Sequence, residues 1–152
     1  MAPTSSIRWF AFPARLILAG LFIFAAALKL RDPQMFADAI RGFKILPDHL
    51  VTLTAFVIPW TELLAGVLLA IGLWARGAAL VLVTMLAAFV AGVASILVRG
   101  MEVKCSCFGS FELVCTGAVG WCQIIRNIVM IALGVLVLAM GPGPISFDRK
   151  AA

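Results

Sequence analysis

Four long apolar runs, at residues 9–28, 50–74, 78–98 and 118–140, limit what this chain can fold into. Each meets the roughly 20 residues that a helix needs to cross a hydrocarbon core of about 30 Å. Lipid offers no partner for a peptide N–H or C=O, so such runs satisfy their own backbone as helices. The fold expected is an all-α membrane protein, a four-transmembrane-helix bundle forming one domain over residues 1–152. Composition agrees, with 64% hydrophobic and 12% charged residues where soluble domains average about half and a quarter. The net charge of +5 does not point to nucleic acid. The basic residues stand singly at the ends of apolar runs, where they anchor to lipid headgroups or snorkel.

Polar residues 1–8 precede the first run, which Pro13 and Arg15 interrupt. An apolar core from Leu16 to Leu28 behind two arginines also has the form of a signal peptide, with Ala25-Ala26-Ala27 as its cleavage site. An uncleaved span is the reading taken, since Trp9 and Phe10 extend it to about 20 residues. From Asp32 to Phe43 the spacing predicts a short helix, with Asp32 as N-cap and Pro33 in the first turn. Met35, Phe36, Ala39, Ile40 and Phe43 share one side, and the segment is too short to span, so an interfacial helix is expected between spans one and two. His49, the lone histidine, reads as a cap or surface residue at a helix boundary. Arg76-Gly77 is expected to make the tight turn between spans two and three. Small residues in the third span (Ala87, Ala88, Ala91, Gly92, Ala94, Ser95) allow close helix approach.

The segment 99–117 concentrates the reactive chemistry. Lys104-Cys105-Ser106-Cys107-Phe108-Gly109-Ser110 holds two cysteines one residue apart, and Cys115 and Cys122 follow. Clustered cysteines beside a loop point to redox or disulfide chemistry rather than inert packing. A Cys105–Cys107 disulfide closes a small strained ring of the labile, exchangeable kind, and Gly109 gives the backbone freedom to turn after it. The alternative is a structural staple, for example Cys107 to Cys115. No metal is expected, because C-x-C-x7-C-x6-C lacks the C-x2-C knuckles of common zinc sites. Cys122 stands four residues before Arg126 on one helix face, where a guanidinium favours the reactive thiolate.

Glu62 and Arg126 are the charges placed deepest in the runs. A charge at mid-bilayer costs at least about 2.5–3.5 kcal/mol, so such residues face the bundle interior and pair. Counting from Leu50 and Ala118, Glu62 lies about 18 Å deep and Arg126 about 12 Å. A Glu62–Arg126 pair inside the bundle is therefore expected. Basic residues number five on the side of the termini and six on the other, too even to orient the chain. Redox compartment orients it instead, with the cysteine loop extracytoplasmic and the termini cytoplasmic.

Phe24-Ala25-Ala26-Ala27-Leu28-Lys29-Leu30-Arg31-Asp32-Pro33, then Phe36-Ala37-Asp38-Ala39-Ile40, Ile58-Pro59-Trp60-Thr61-Glu62-Leu63-Leu64-Ala65-Gly66, and Cys105-Ser106-Cys107-Phe108-Gly109 occur in this order. Together, over residues 10–140, they resemble the methylamine-utilisation MauE group of DoxX-like membrane proteins. The resemblance implies a four-helix bundle in a bacterial inner membrane that assists disulfide formation or maturation of periplasmic proteins beside a thioredoxin-like partner. The outline is also similar to the vitamin K epoxide reductase type, in which a membrane thiol pair passes electrons to a quinone. A single Cys122 stands where that type has Cys-x-x-Cys, which sets quinone reduction apart from the rest of the likeness.

The function expected is thiol–disulfide exchange at the extracytoplasmic face by a multi-pass protein. Cys105 and Cys107 form the exchanging pair and Cys122 with Arg126 a second station; a quinone or thioredoxin-like partner takes the electrons. The rival reading is a non-catalytic subunit or assembly factor of a larger membrane complex, with structural disulfides in residues 99–122. A small-molecule carrier fits less well, because the four spans hold only two deep charges.

Overall fold

The computed structural model describes residues 5–100 and 120–140, which form five helices and no strand. Helix α1 spans Ser5–Arg31, α2 Pro33–Gly42, α3 Asp48–Ile71, α4 Ala75–Val98 and α5 Trp121–Met140. All except α2 contain a stretch long and apolar enough to cross a membrane. The 24 residues of α3 and of α4 reach about 36 Å at the helical rise, more than the hydrocarbon thickness.

Helix α1 packs on α3 and α4 on α5, while contacts of α1 with α5 and of α3 with α4 close a four-helix ring. The core between them is built from Leu18, Phe22, Leu69, Leu82, Leu86, Met130 and Val137, with alanines in the gaps. Two glycines bring the backbones together. A Cβ on Gly66 of α3 would lie 2.9 Å from Ile23 Cγ1 of α1, and one on Gly134 of α5 would overlap Val83 of α4. The expected small residues of α4 do not do this. Ala87, Ala88 and Ala91 are exposed, and the buried small residues are Ala75, Ala78 and Ala79. The difference is one of helix face: the inward stripe of α4 runs Ala75, Ala78/Ala79, Leu82, Leu86, Val93, Ile96.

The short helix forms where the sequence places it. The Asp32 side chain accepts a hydrogen bond from the Met35 N–H at 3.0 Å, and Pro33 occupies the first turn. Phe36 and Ala37 pack on Val51 and Ala55, so α2 lies against the first turns of α3. Arg41 of α2 bonds Asp38 at 2.6 Å and reaches Asp48 at the start of α3 at 3.7 Å.

The turn between spans two and three is displaced from Arg76-Gly77 to Gly72–Trp74. Gly72 adopts φ +74°, its N–H bonds the carbonyls of Leu68 and Leu69, and the Leu73 N–H bonds Leu68. This is a Schellman stop, which a glycine in the left-handed region makes at low cost. Trp74 follows with φ +50°, and Arg76 and Gly77 fall in the first turn of α4.

Span one is a longer helix than the expected 9–28, and its inward stripe ends in charge on both sides. Arg15, Leu18, Phe22, Ala25/Ala26 and Lys29 are all buried. Arg15 and Lys29 are thus not headgroup anchors. Helix α5 runs from Trp121; Ala118 and Val119, where span four is expected to begin, lie outside the described residues, as do Cys105, Cys107, Gly109 and Cys115.

Candidate functional site

The Glu62 carboxylate pairs with Lys29, not with Arg126. Lys29 Nζ stands 2.7 Å from both carboxylate oxygens, and both residues are 7% exposed. Glu62 points inward because it continues the buried stripe Val51, Ala55, Pro59, Glu62, Ala65/Gly66, Leu69 of α3. Lys29 points inward on the corresponding stripe of α1, and its ammonium also lies 4.9 Å from the centroid of the Phe36 ring of α2. A cation so placed is attracted by the ring face.

The expected pairing failed on helix stagger. Depth counted from each helix's own end holds only where the ends are level. Lys29 is two residues from the end of α1, yet it meets α3 at Glu62, about 21 Å from Asp48. Helix α3 therefore projects well past α1, and α2 covers the projecting turns. A lysine that looks terminal along its own helix ends up inside the molecule.

Around this pair lies a cavity of about 380 Å³ bounded by all five helices. Most of its wall is apolar, including Phe22, Phe36 and Phe89. Polar side chains enter from Lys29, Glu62, Thr54, Arg126 and Asn127. The structure thus brings Glu62 and Arg126 to one cavity with Lys29 as the partner of the carboxylate. Helix α5 supplies a polar inner face at its start. Gln123 and Asn127 are buried; Gln123 Oε1 accepts from the Gly120 N–H at 2.8 Å, and Asn127 Nδ2 donates to the Gln123 carbonyl at 2.6 Å. The first of these is the return half of a capping box, in which the third residue of a helix satisfies the backbone before it. Arg126 is half-buried between them.

Cys122 is exposed at the start of α5 and is disulfide-bonded, its partner lying outside the described residues. Cys122, Arg126 and Met130 form one row at four-residue spacing, and the last two line the cavity. One step of that row is about 6 Å along the axis, so Cys122 stands about one turn from Arg126 on the cavity wall. Among the described residues no group of His, Cys, Asp and Glu could hold a metal ion.

Sequence reasoning passed over Lys29, Gln123 and Asn127. The signal was present as periodicity. Lys29 continues the Leu18–Phe22–Ala25/Ala26 stripe, and Gln123 and Asn127 open the stripe Gln123, Asn127, Met130, Gly134, Val137. Apolar counting hides polar residues that sit at inward positions.

The family described as "Methylamine utilisation protein MauE" matches residues 7–140. The chain is 33% identical over 124 residues to a methylamine utilization protein MauE of Paracoccus denitrificans, covering 81% of this chain and 65% of that protein. It is 32% identical over 129 residues to the MauE of Paracoccus versutus, covering 84% and 68%. The chain thus spans about two thirds of the length of the curated relatives it matches. No solved structure matches it. The match takes in all four spans, the Lys29–Glu62 pair and the polar start of α5, and the chain belongs to the MauE family of methylamine utilisation proteins.

Proposed function

We propose that this protein is a thiol–disulfide exchanger of the bacterial inner membrane that supports disulfide formation or maturation of extracytoplasmic proteins, its clients being proteins of methylamine use. The observation that carries the reading is the exposed, disulfide-bonded Cys122 one helical turn from Arg126. Cys105 and Cys107 are the pair that meets the client, and Cys122 is the station behind them. The termini are cytoplasmic and the cysteine segment extracytoplasmic, in the compartment where disulfides persist.

Exchange begins when a client thiolate attacks one sulfur of a disulfide here, forms a mixed disulfide and expels the other sulfur as a thiolate. The client's second thiol then attacks the mixed disulfide. The client leaves oxidised, and two cysteines here are left as thiols, having gained two electrons and two protons. A quinone, or the disulfide of a thioredoxin-like partner, takes these back and restores the starting state. Arg126 favours the anionic sulfur released near it.

Replacing both Cys105 and Cys107 by Ser is expected to abolish client oxidation in cells while the protein still inserts and folds. Unchanged client oxidation overturns the reading. The exposed Ala87 and Ala91 of α4 favour a second reading, a subunit that packs a partner helix in a larger membrane complex. Stoichiometric co-purification with such a complex, lost on Ala87→Leu, together with cysteines inert to mild reductant, would select it.

A further inference from the structure

We propose that the cavity of about 380 Å³ binds a lipid-soluble small molecule with a hydrogen-bond-accepting oxygen head, a carbonyl or a carboxylate, on an apolar body. Its volume falls within the roughly 300–1,000 Å³ of small-molecule sites, and its make-up is theirs also: apolar walls with a few convergent polar groups. The body lies against Phe22, Phe36 and Phe89, and the head against Lys29, Arg126 and Asn127.

The polarity of the head follows from counting donors and acceptors. An ammonium and a guanidinium carry three and five N–H groups and no acceptor; the Asn127 amide carries two N–H groups and an acceptor oxygen, and the Thr54 hydroxyl both donates and accepts. Both oxygens of Glu62, the one carboxylate among the described residues of the wall, already accept from Lys29 at 2.7 Å. One N–H of Asn127 is engaged by the Gln123 carbonyl. Beyond those bonds Lys29 keeps a third N–H and Asn127 a second, donors that an oxygen acceptor satisfies. A cationic amine fits poorly beside the Lys29 ammonium, where both oxygens of Glu62 are already engaged. Sugars and other polyols find too few partners on walls that are mostly apolar.

Entry is from the lipid side past the α2–α3 connection. Ile45 and Leu46 line the cavity and are also exposed on the outer surface, so the wall there is one side chain thick. The proposal stands on the cavity alone and needs no thiol chemistry.

The test is equilibrium titration calorimetry of the detergent-purified protein with three probes: a decyl-substituted benzoquinone, decanoate and methylammonium. Either or both of the first two are expected to bind, and which one responds assigns the head as a neutral carbonyl or an acid. Affinity should fall about tenfold in Asn127→Leu, the worth of one hydrogen bond, and disappear in the cavity-filling variant Ala88→Phe. Ala39→Phe fills the cavity from α2 and serves if Asn127→Leu does not fold, as judged by circular dichroism. The proposal is overturned if neither probe binds the folded protein, if Ala88→Phe and Ala39→Phe bind as wild type does, or if methylammonium binds in their place. Binding reads occupancy only, so its failure leaves the exchange reading standing, and loss of exchange leaves the binding result intact.

Discussion

Removing the Lys29 ammonium tests the interior of the molecule at one point. At 2.7 Å and an effective dielectric constant of about 20, the attraction between the two charges is about 6 kcal/mol. Much of that offsets desolvation of two ions, so the pair adds little net stability over apolar residues of similar size. Breaking it from one side is different, because it strands a buried charge at a cost of about 3–5 kcal/mol. Lys29→Met and Glu62→Leu should each destabilise by that amount. At about 2–4 °C per kcal/mol for a chain of this size, melting should fall by about 6–20 °C. The double variant Lys29→Met/Glu62→Leu leaves no stranded charge and should melt within about 4 °C of wild type, a stability change of about 1 kcal/mol. The assay is thermal unfolding in detergent followed by circular dichroism, run as a double-mutant cycle. The reasoning is refuted if Lys29→Met costs under about 1 kcal/mol, or if Glu62→Leu rescues Arg126→Met but not Lys29→Met.

Three further outcomes follow from the packing and the caps. Gly134→Ala sets a methyl against Val83 and should cost about 1–3 kcal/mol of overpacking, with Val83→Ala restoring most of it in the double variant on the same melting assay. Gly72→Ala places a side chain at φ +74° and should cost about 1–2 kcal/mol by melting, while Gly77→Ala, whose Cβ meets open space, should be neutral or stabilising. Asp32→Ala removes the cap on Met35 and should cost about 1 kcal/mol; hydrogen exchange should show the loss concentrated in the amides at the start of α2.

Much of the scaffold was legible because each of its elements is decided locally. Twenty apolar residues have one way to satisfy their backbone in lipid, and Asp32-Pro33 is a helix start wherever it stands. The turn at Gly72 was less legible because Leu73 and Trp74 continue the apolar run, so hydropathy carried the span through a stop that only a positive φ reveals. Lys29 was hidden for another reason. Sequence reports depth along one helix, whereas partnership depends on how far neighbouring helices are staggered, and here α3 extends beyond the end of α1. The inward stripes of α1 and α5 hold enough periodicity to have placed Lys29, Gln123 and Asn127 inside. They do not say which stripe faces which, and so could not choose between Arg126 and Lys29 as the partner of Glu62.

The most direct test of thiol–disulfide exchange is to map the cysteines of the purified protein by mass spectrometry before and after incubation with a reduced dithiol client. If the protein exchanges, Cys122 and its partner, or Cys105 and Cys107, pass from disulfide to thiol as the client gains one disulfide per pair reduced. If all four cysteines remain oxidised and the client stays reduced, the disulfides are staples and the account of this protein as an exchanger is contradicted.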